Sequence, residues 1–320
     1  MLQKLLGLPL DASAQGYEMD RLMFLVHLLM LALFVGWGAF FVYVLARFRK
    51  GKNQKADYTG AKTHASAYLE ATVAAIEIAL LVGLSIPFWS RKVSAFPTDP
   101  NTVHIRVIAQ QFAWNIHYPG PDGKFGRTDI KLVDETSNPI GLDRPTGADH
   151  PGDPNAKDDI MTLNQLHIPV NRPIVLEITT KDVIHSFSLP VMRVKQDAIP
   201  GMLIPMHFQA TKTSDQLRDE MTETVSLPPR KKYDGYIAMQ DYADKEGKVI
   251  LKKGRSLSDS VVATLVSNGV TSVFIGPRYS AEIACAQLCG LGHYRMRGYL
   301  TIDTEQGYDA WIKDQEDSLQ

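Results

Sequence analysis

Between Met23 and Leu45 the chain runs for about 23 residues without a full charge. At ~1.5 Å per residue, a helix of that length crosses the ~30 Å hydrocarbon layer of a bilayer. A buried helix of a soluble protein rarely stays apolar on every face for so long. A second apolar run extends from about Ala71 to Trp89. Arg47, Arg49, Lys50, Lys52, Lys55 and Lys62 lie between the two. They read as a cytoplasmic loop under the positive-inside rule, with a solvated basic face as the plainer alternative. Trp89, Arg91 and Lys92 suit an interfacial anchor. The expectation is a two-helix transmembrane hairpin over residues 23–92, with its loop at about 47–66. Residues 1–22, with Asp11, Glu18 and Asp20, then form an extracytoplasmic segment that does not read as a cleaved signal peptide.

Glu70 and Glu77 mark the second run. Carboxylates at membrane depth are functional candidates by default, and Glu70 can equally be an interfacial cap. Beyond the hairpin the composition turns polar, which fits a soluble part following a membrane part. The net charge of −1 over 320 residues gives no reason to expect nucleic acid as a partner.

From Val103 to Ala109, and again from Ile174 to Thr180, apolar and polar residues alternate with the period of a half-buried strand. Pro and Gly clusters separate such segments, as in an antiparallel sandwich. Asp143, Asp149, Asp153, Asp158 and Asp159 crowd one loop, which reads either as an ordinary solvated loop or as an acidic docking surface. Ser258 and Gly269 bracket a short helix, and Val270 to Ile275 reads as the strand after it.

The chemistry concentrates in Cys285-Ala-Gln-Leu-Cys289-Gly-Leu-Gly-His293-Tyr-Arg-Met296, which holds both cysteines of the chain. Two thiolates, an imidazole and a thioether are soft ligands suited to copper, zinc or iron–sulfur centres. Met296 favours copper, because a thioether is a poor zinc ligand and a common weak axial copper ligand. Two thiolates are too few for an iron–sulfur cluster. A local disulfide or a buried thiol pair are the plainer readings. Small residues between the ligands let the backbone curl round a metal. No Cys-x-x-Cys-His sequence occurs, so no c-type haem attachment is expected in this chain.

This motif resembles the copper loop of subunit II of haem–copper oxygen reductases (cytochrome c oxidase). The resemblance implies a cupredoxin-like all-β sandwich (Greek key) carrying Cu-A, a binuclear mixed-valence copper centre. Cys285 and Cys289 would bridge both coppers, with His293 and Met296 completing the loop's share. Asp182-Val-Ile-His185-Ser-Phe-Ser-Leu-Pro190 resembles the family element that brings the second histidine, His185. Gln287 stands where the family usually has Glu; the ligand there is a backbone carbonyl, so copper binding is expected to survive the change. A magnesium contact made by that Glu is not expected of the neutral side chain. Gln111-Phe-Ala-Trp-Asn-Ile-His-Tyr-Pro119 resembles the family's aromatic motif, with Trp114 at its second Trp and Phe112 in place of the family's electron-entry Trp, so that entry is expected by another route. Electrons would then pass through Trp114 or directly onto the loop near Met296, with Phe112 packing against the donor. Glu70 resembles the Glu at the mouth of a proton pathway; Glu77 has no counterpart.

The domain expectation is a cupredoxin Cu-A domain over 93–210 and 279–320, interrupted at 211–278 by a small α/β insertion with no ligand cluster. The function implied is the electron-accepting subunit of a cytochrome c oxidase in the bacterial cytoplasmic membrane, its copper domain on the periplasmic side. Haem belongs to the partner subunit. The implied partners are subunit I and subunit III of the oxidase, a cytochrome c or another haem c donor, membrane lipid, and a respiratory supercomplex. A quinol-oxidising subunit would lack the copper ligands. A copper-delivery protein would need an exposed, exchangeable site. Nitrous-oxide reductase shares the copper centre but has a second, His-rich cluster that nine histidines do not supply.

Overall fold

The computed structural model describes residues 5, 7–49, 51, 58, 63–229 and 231–319. Lys50, Lys52, Lys55 and Lys62 of the basic loop lie outside the described residues. The chain divides into two compact units, one of 1–9 with 16–96 and one of 10–15 with 97–320.

The first unit holds α1 (Gly16–Arg47) and α2 (Ala65–Ser94), both long and apolar enough to cross a membrane. Both exceed the apolar runs from which they were expected. In α1, the first turns include Glu18, Asp20 and Arg21. In α2, a π-helical turn over Leu81–Ser85 interrupts the α geometry. Phe34, Phe41 and Val42 of α1 and Ile78, Leu81 and Val82 of α2 are exposed, as side chains meant for lipid or for another membrane protein must be. Glu18 and Arg91 pair at 3.0 Å on the surface of this unit, a contact worth at most ~1 kcal/mol.

The second unit is a β-sandwich of two five-stranded sheets. One contains β1 (Val103–Gln110), β2 (Ala113–Tyr118), β3 (Ile160–Leu163), β5 (Pro173–Thr180) and β8 (Ile204–Gln209), in the order β3-β2-β1-β5-β8. The other contains β4 (Gln165–Pro169), β6 (His185–Leu189), β7 (Val194–Ala198), β14 (Glu282–Cys285) and β15 (Arg297–Asp303), in the order β4-β15-β14-β6-β7. The alternation seen in the sequence is the alternation between core and surface. Ile105, Val107 and Ala109 of β1 face Ile174, Leu176 and Ile178 of β5 in one core with Trp114, Phe187, Leu300 and Ile302. The sheets are mixed, not purely antiparallel as expected. β1 pairs in parallel with β5, and β15 with β4. Asn164, at φ 59, is where the chain leaves β3 of one sheet and enters β4 of the other. Asn is tolerant of that left-handed conformation. Its side chain also accepts from the Trp114 N–H at 2.8 Å, fixing the crossing beside the core tryptophan.

After β8 the chain forms α3 (Ser214–Glu220), which opens on a capping box between Thr213 and Gln216. Leu217 of α3 is buried in the sandwich core, and Ser214 accepts from the Ile302 N–H of β15. Then come β9 (Glu223–Ser226), β10 (Tyr236–Ala238), the small hairpin β11 (Tyr242–Ala243) and β12 (Val249–Leu251), α4 (Asp259–Ser267) and β13 (Ser272–Pro277). They have a separate core of Val225, Ala238, Leu251, Leu265, Val273 and Ile275. Ser258 caps α4 by accepting from Val261 N–H. The helix ends at Asn268, with Gly269 following in the left-handed region at φ 83. The chain closes with α5 (Glu305–Asp317), whose Trp311 stacks on His167 at 4.3 Å between ring centres.

Candidate metal centre

β14 and β6 are neighbours, and their pairing sets Cys285 opposite Phe187. Cys285 ends β14, and His185 opens β6, so both arrive at the same end of one sheet. The loop 286–296 then returns through a short 3-10 turn at His293–Arg295 to enter β15. This brings five donor atoms together. The Cys285 and Cys289 sulfurs are 3.8 Å apart. His185 Nδ1 lies 3.9 Å from Cys285 Sγ, and His293 Nδ1 lies 3.6 Å from Cys289 Sγ. Met296 Sδ is 3.7 Å from Cys289 Sγ. The carbonyl oxygen of Gln287 approaches Cys285 Sγ to 3.2 Å, with the Gln287 side chain exposed.

The sulfur spacing is far too long for a disulfide, which needs ~2.05 Å. It fits two thiolates sharing a metal, since a metal–thiolate bond is ~2.3 Å and two of them span up to ~4.6 Å. The set of two thiols, two imidazoles, a thioether and a carbonyl has the softness that copper asks for. His185 and Met296 are nearly or fully buried, and Cys289 is 4 % exposed.

Electrostatics split the two thiols. Burial pushes Cys285 up, but hydrogen bonding with His185 and with the backbone at Ser186 and Gln287 outweighs it and brings the group down to about 6. Burial and the adjacent Cys285 sulfur raise Cys289 to about 11. Burial works against protonation of His185, yet Cys285 and Asp182 outweigh it and hold the imidazole above its ordinary value. Burial likewise opposes ionisation of Asp182, but hydrogen bonds from the Gln111 N–H, His185 and the Val183 N–H keep it below the usual carboxylate range. His185 Nε2 meets Asp182 Oδ1 at 2.9 Å. That contact leaves Nδ1 free to turn a lone pair toward the sulfurs.

Trp114 and Phe112 both lie beside this cluster, in different ways. Trp114 is fully buried, its ring edge-on to His185 at 6.2 Å and to Phe187 at 5.4 Å. It is therefore an interior neighbour of His185 and has no exposed surface for a donor to touch. Phe112 is half-buried and lies under the loop. A Cβ on Gly292 would run into its ring, and one on Gly290 would come within 3.2 Å of it. The glycines between the ligands thus make room for Phe112 as much as they allow the loop to curl. Leu291, at 99 % exposure, with Leu288 and Tyr294 forms the loop's outer face. Glu70 and Glu77 sit in the first unit on α2, both exposed, with Glu70 in its second turn.

A family model for the periplasmic domain of cytochrome c oxidase subunit II matches residues 153–216, the stretch that contains His185. The alternative cytochrome c oxidase subunit 2 of Bradyrhizobium diazoefficiens is 23% identical over 277 residues, covering 86% of this chain and 72% of that protein. The chain is thus similar to subunit II proteins of cytochrome c oxidases, over most of its length in one relative and over the segment 153–216 in the family model. Cytochrome c oxidase subunit 2 of Cereibacter sphaeroides is 30% identical over 122 residues, 34% of this chain and 37% of that one. Quinol oxidase subunit 2 of Bacillus spizizenii is 22% identical over 175 residues, 53% of this chain and 43% of that one. Against the last two relatives, the chain spans less than half of their length. Within this subunit II relative, two residues near the ligands had no role from the sequence. Asp182 could have been found from its Asp-x-x-His spacing, whereas Gln111 needed the turn's position over the loop.

The aspartate-rich loop proves more ordered than either sequence reading required. Asp143 and Asp159 are buried. Asp143 pairs with Arg127 and with His150, the latter at 2.7 Å, and Asp159 holds His117 at 2.5 Å. Asp153 accepts from the Arg127 and Asn155 N–H groups. Asp149 and Asp158 retain partial or full exposure.

Proposed function

We propose that this chain is the electron-accepting subunit II of a cytochrome c oxidase, with a binuclear copper centre held by His185, Cys285, the Gln287 carbonyl, Cys289, His293 and Met296. The observation that carries this reading is the convergence of two thiols, two imidazoles and a thioether from two separate segments. Copper held by these residues would supply one-electron transfer between a cytochrome c and haem in subunit I, the site of oxygen reduction with proton pumping. The protein's own contribution is a fixed frame. Asp182 sets the tautomer of His185, Trp114 walls the imidazole in with Phe187 behind it, and burial excludes water from Cys289 and Met296. A frame that does not rearrange on reduction keeps the barrier to electron transfer low. The helices α1 and α2 then anchor the subunit in the bacterial cytoplasmic membrane, with the sandwich on the periplasmic side.

A quinol-oxidising role is favoured by the similarity to quinol oxidase subunit 2 of two Bacillus species. The sulfur–imidazole cluster favours cytochrome c. The two separate under stopped flow with the copper-loaded, full-length chain. Reduced cytochrome c should reduce it on a millisecond scale and a water-soluble quinol should not. Rapid reduction by quinol alone would overturn the assignment. Glu70 is proposed as a proton-pathway residue. Glu70→Ala should slow proton uptake by the assembled oxidase, and unchanged uptake would leave it an interfacial residue.

A further inference from the structure

Gln111 occupies the turn between β1 and β2, on the sheet that carries none of the ligands. Both of its donor nitrogens are nevertheless committed to the segments that carry the candidate ligands. Its side-chain Nε2–H donates to the carbonyl of Cys289 at 2.6 Å. Its backbone N–H donates to Asp182 Oδ2 at 2.6 Å. The other oxygen of Asp182 meets His185 Nε2 at 2.9 Å. One residue is thus bonded directly to the cysteine loop and, through a single carboxylate, to the histidine that comes from β6. The seat for the amide is cleared by Gly290. A Cβ there would lie 2.7 Å from Gln111 Nε2, and the residue sits at φ +132, where side chains are rarely accommodated.

We infer that Gln111 is a positioning residue for the metal centre: it locks the Cys289 segment and the Asp182–His185 pair to one point on the opposite sheet. The β6–β14 pairing already registers Cys285 beside His185, and Gln111 adds a second hold, from the opposite sheet, on the loop beyond Cys285 and on Asp182. Partners that orient metal ligands from outside typically change metal affinity by ~10–100-fold when removed. The inference rests on the reading of the cluster as a metal centre, yet the tether itself is visible without metal.

Two variants test it in the full-length, detergent-solubilised chain. Gln111→Met keeps the length and the backbone N–H and removes the amide. Gln111→Glu keeps the shape and puts a carboxylate oxygen against the Cys289 carbonyl. Two readouts are needed. In the metal-free protein, amide hydrogen exchange over residues 288–293 should accelerate about tenfold in both variants, with exchange in β5 unchanged as evidence of an intact fold. After copper loading, release to a chelator should accelerate at least tenfold, and the paramagnetic resonance spectrum should shift from that of the wild type. Wild-type exchange and wild-type copper release in Gln111→Met would overturn the inference and make the residue a filler. A wild-type chain that takes up no copper would sink the functional reading instead, while the exchange measurement still decides the tether.

Discussion

Trp114 of the sandwich and Leu265 of the inserted unit are both fully buried, and each sits at the middle of its own core. Their surroundings differ. Trp114 lies between two five-stranded sheets, against His185 and Phe187, with its backbone pinned by Asn164. Leu265 is the buried residue of the short helix α4, packed with residues of short strands in a core that, among the described residues, contains no sulfur or imidazole. The difference shows what a multi-ligand site needs. In the sandwich, His185 and the cysteine loop sit on neighbouring strands of one sheet, and Gln111 of the other sheet is bonded to the loop and to Asp182; the inserted unit has a single three-stranded sheet and a two-stranded hairpin.

Breaking each core should therefore have unequal consequences. Trp114→Ala is expected to cost about 3–5 kcal/mol through cavity formation, and to remove the copper spectrum because His185 loses its wall. Leu265→Ala, with a similar range of about 2–5 kcal/mol, should loosen the inserted unit in hydrogen exchange and leave the copper spectrum as it is. Loss of the spectrum in Leu265→Ala would mean that the two cores are one cooperative structure.

A smaller effect separates the two thiols of the metal-free, reduced chain. Cys285 is an acid whose value is lowered to about 6, so it is a thiolate above that pH and a thiol below it. Cys289, raised to about 11, stays protonated through neutrality. Alkylation at pH 7 should then modify Cys285 faster by about a hundredfold or more, an advantage only partly offset by the weaker nucleophilicity of a low-pKa thiolate. The Cys285 rate should fall as pH drops through about 6. Equal rates at the two cysteines would contradict the electrostatic split.

The smallest expected effect is at Phe112. Its ring packs beneath Gly290 and Gly292 and is not a free face for a donor. Phe112→Leu should change electron transfer within a bound donor complex by less than about tenfold, or ~1.4 kcal/mol of barrier. A hundredfold loss at unchanged affinity would make position 112 the point where electrons arrive.

The candidate ligand loop stood out in the sequence because metal chemistry restricts both residue type and spacing, and the structure brings its donor atoms together with His185. Cys285, Cys289, His293 and Met296 announce themselves, and His185 follows from the resemblance of its own segment. The two strands β1 and β5 were legible because one face of each is buried. Their parallel pairing was not, since alternation says which face is inside and nothing about direction. Gln111 and Phe112 were visible as a motif, but their hold on the loop depends on where two glycines leave space. The burial of Asp143 and Asp159 was hidden for a related reason. An aspartate that caps, pairs or fastens a loop has the same sequence appearance as one facing water, and only the partners Arg127, His150 and His117 distinguish them.

The central claim is that the five converging side chains hold two copper ions that share one electron. The direct measurement is copper content together with the electron paramagnetic resonance spectrum of the full-length chain, alongside Cys285→Ser and Cys289→Ser. The account predicts two coppers per chain and a hyperfine pattern from one electron spread over both nuclei, lost in either serine variant. A single copper with a localised electron, or stoichiometric zinc in its place, would contradict it.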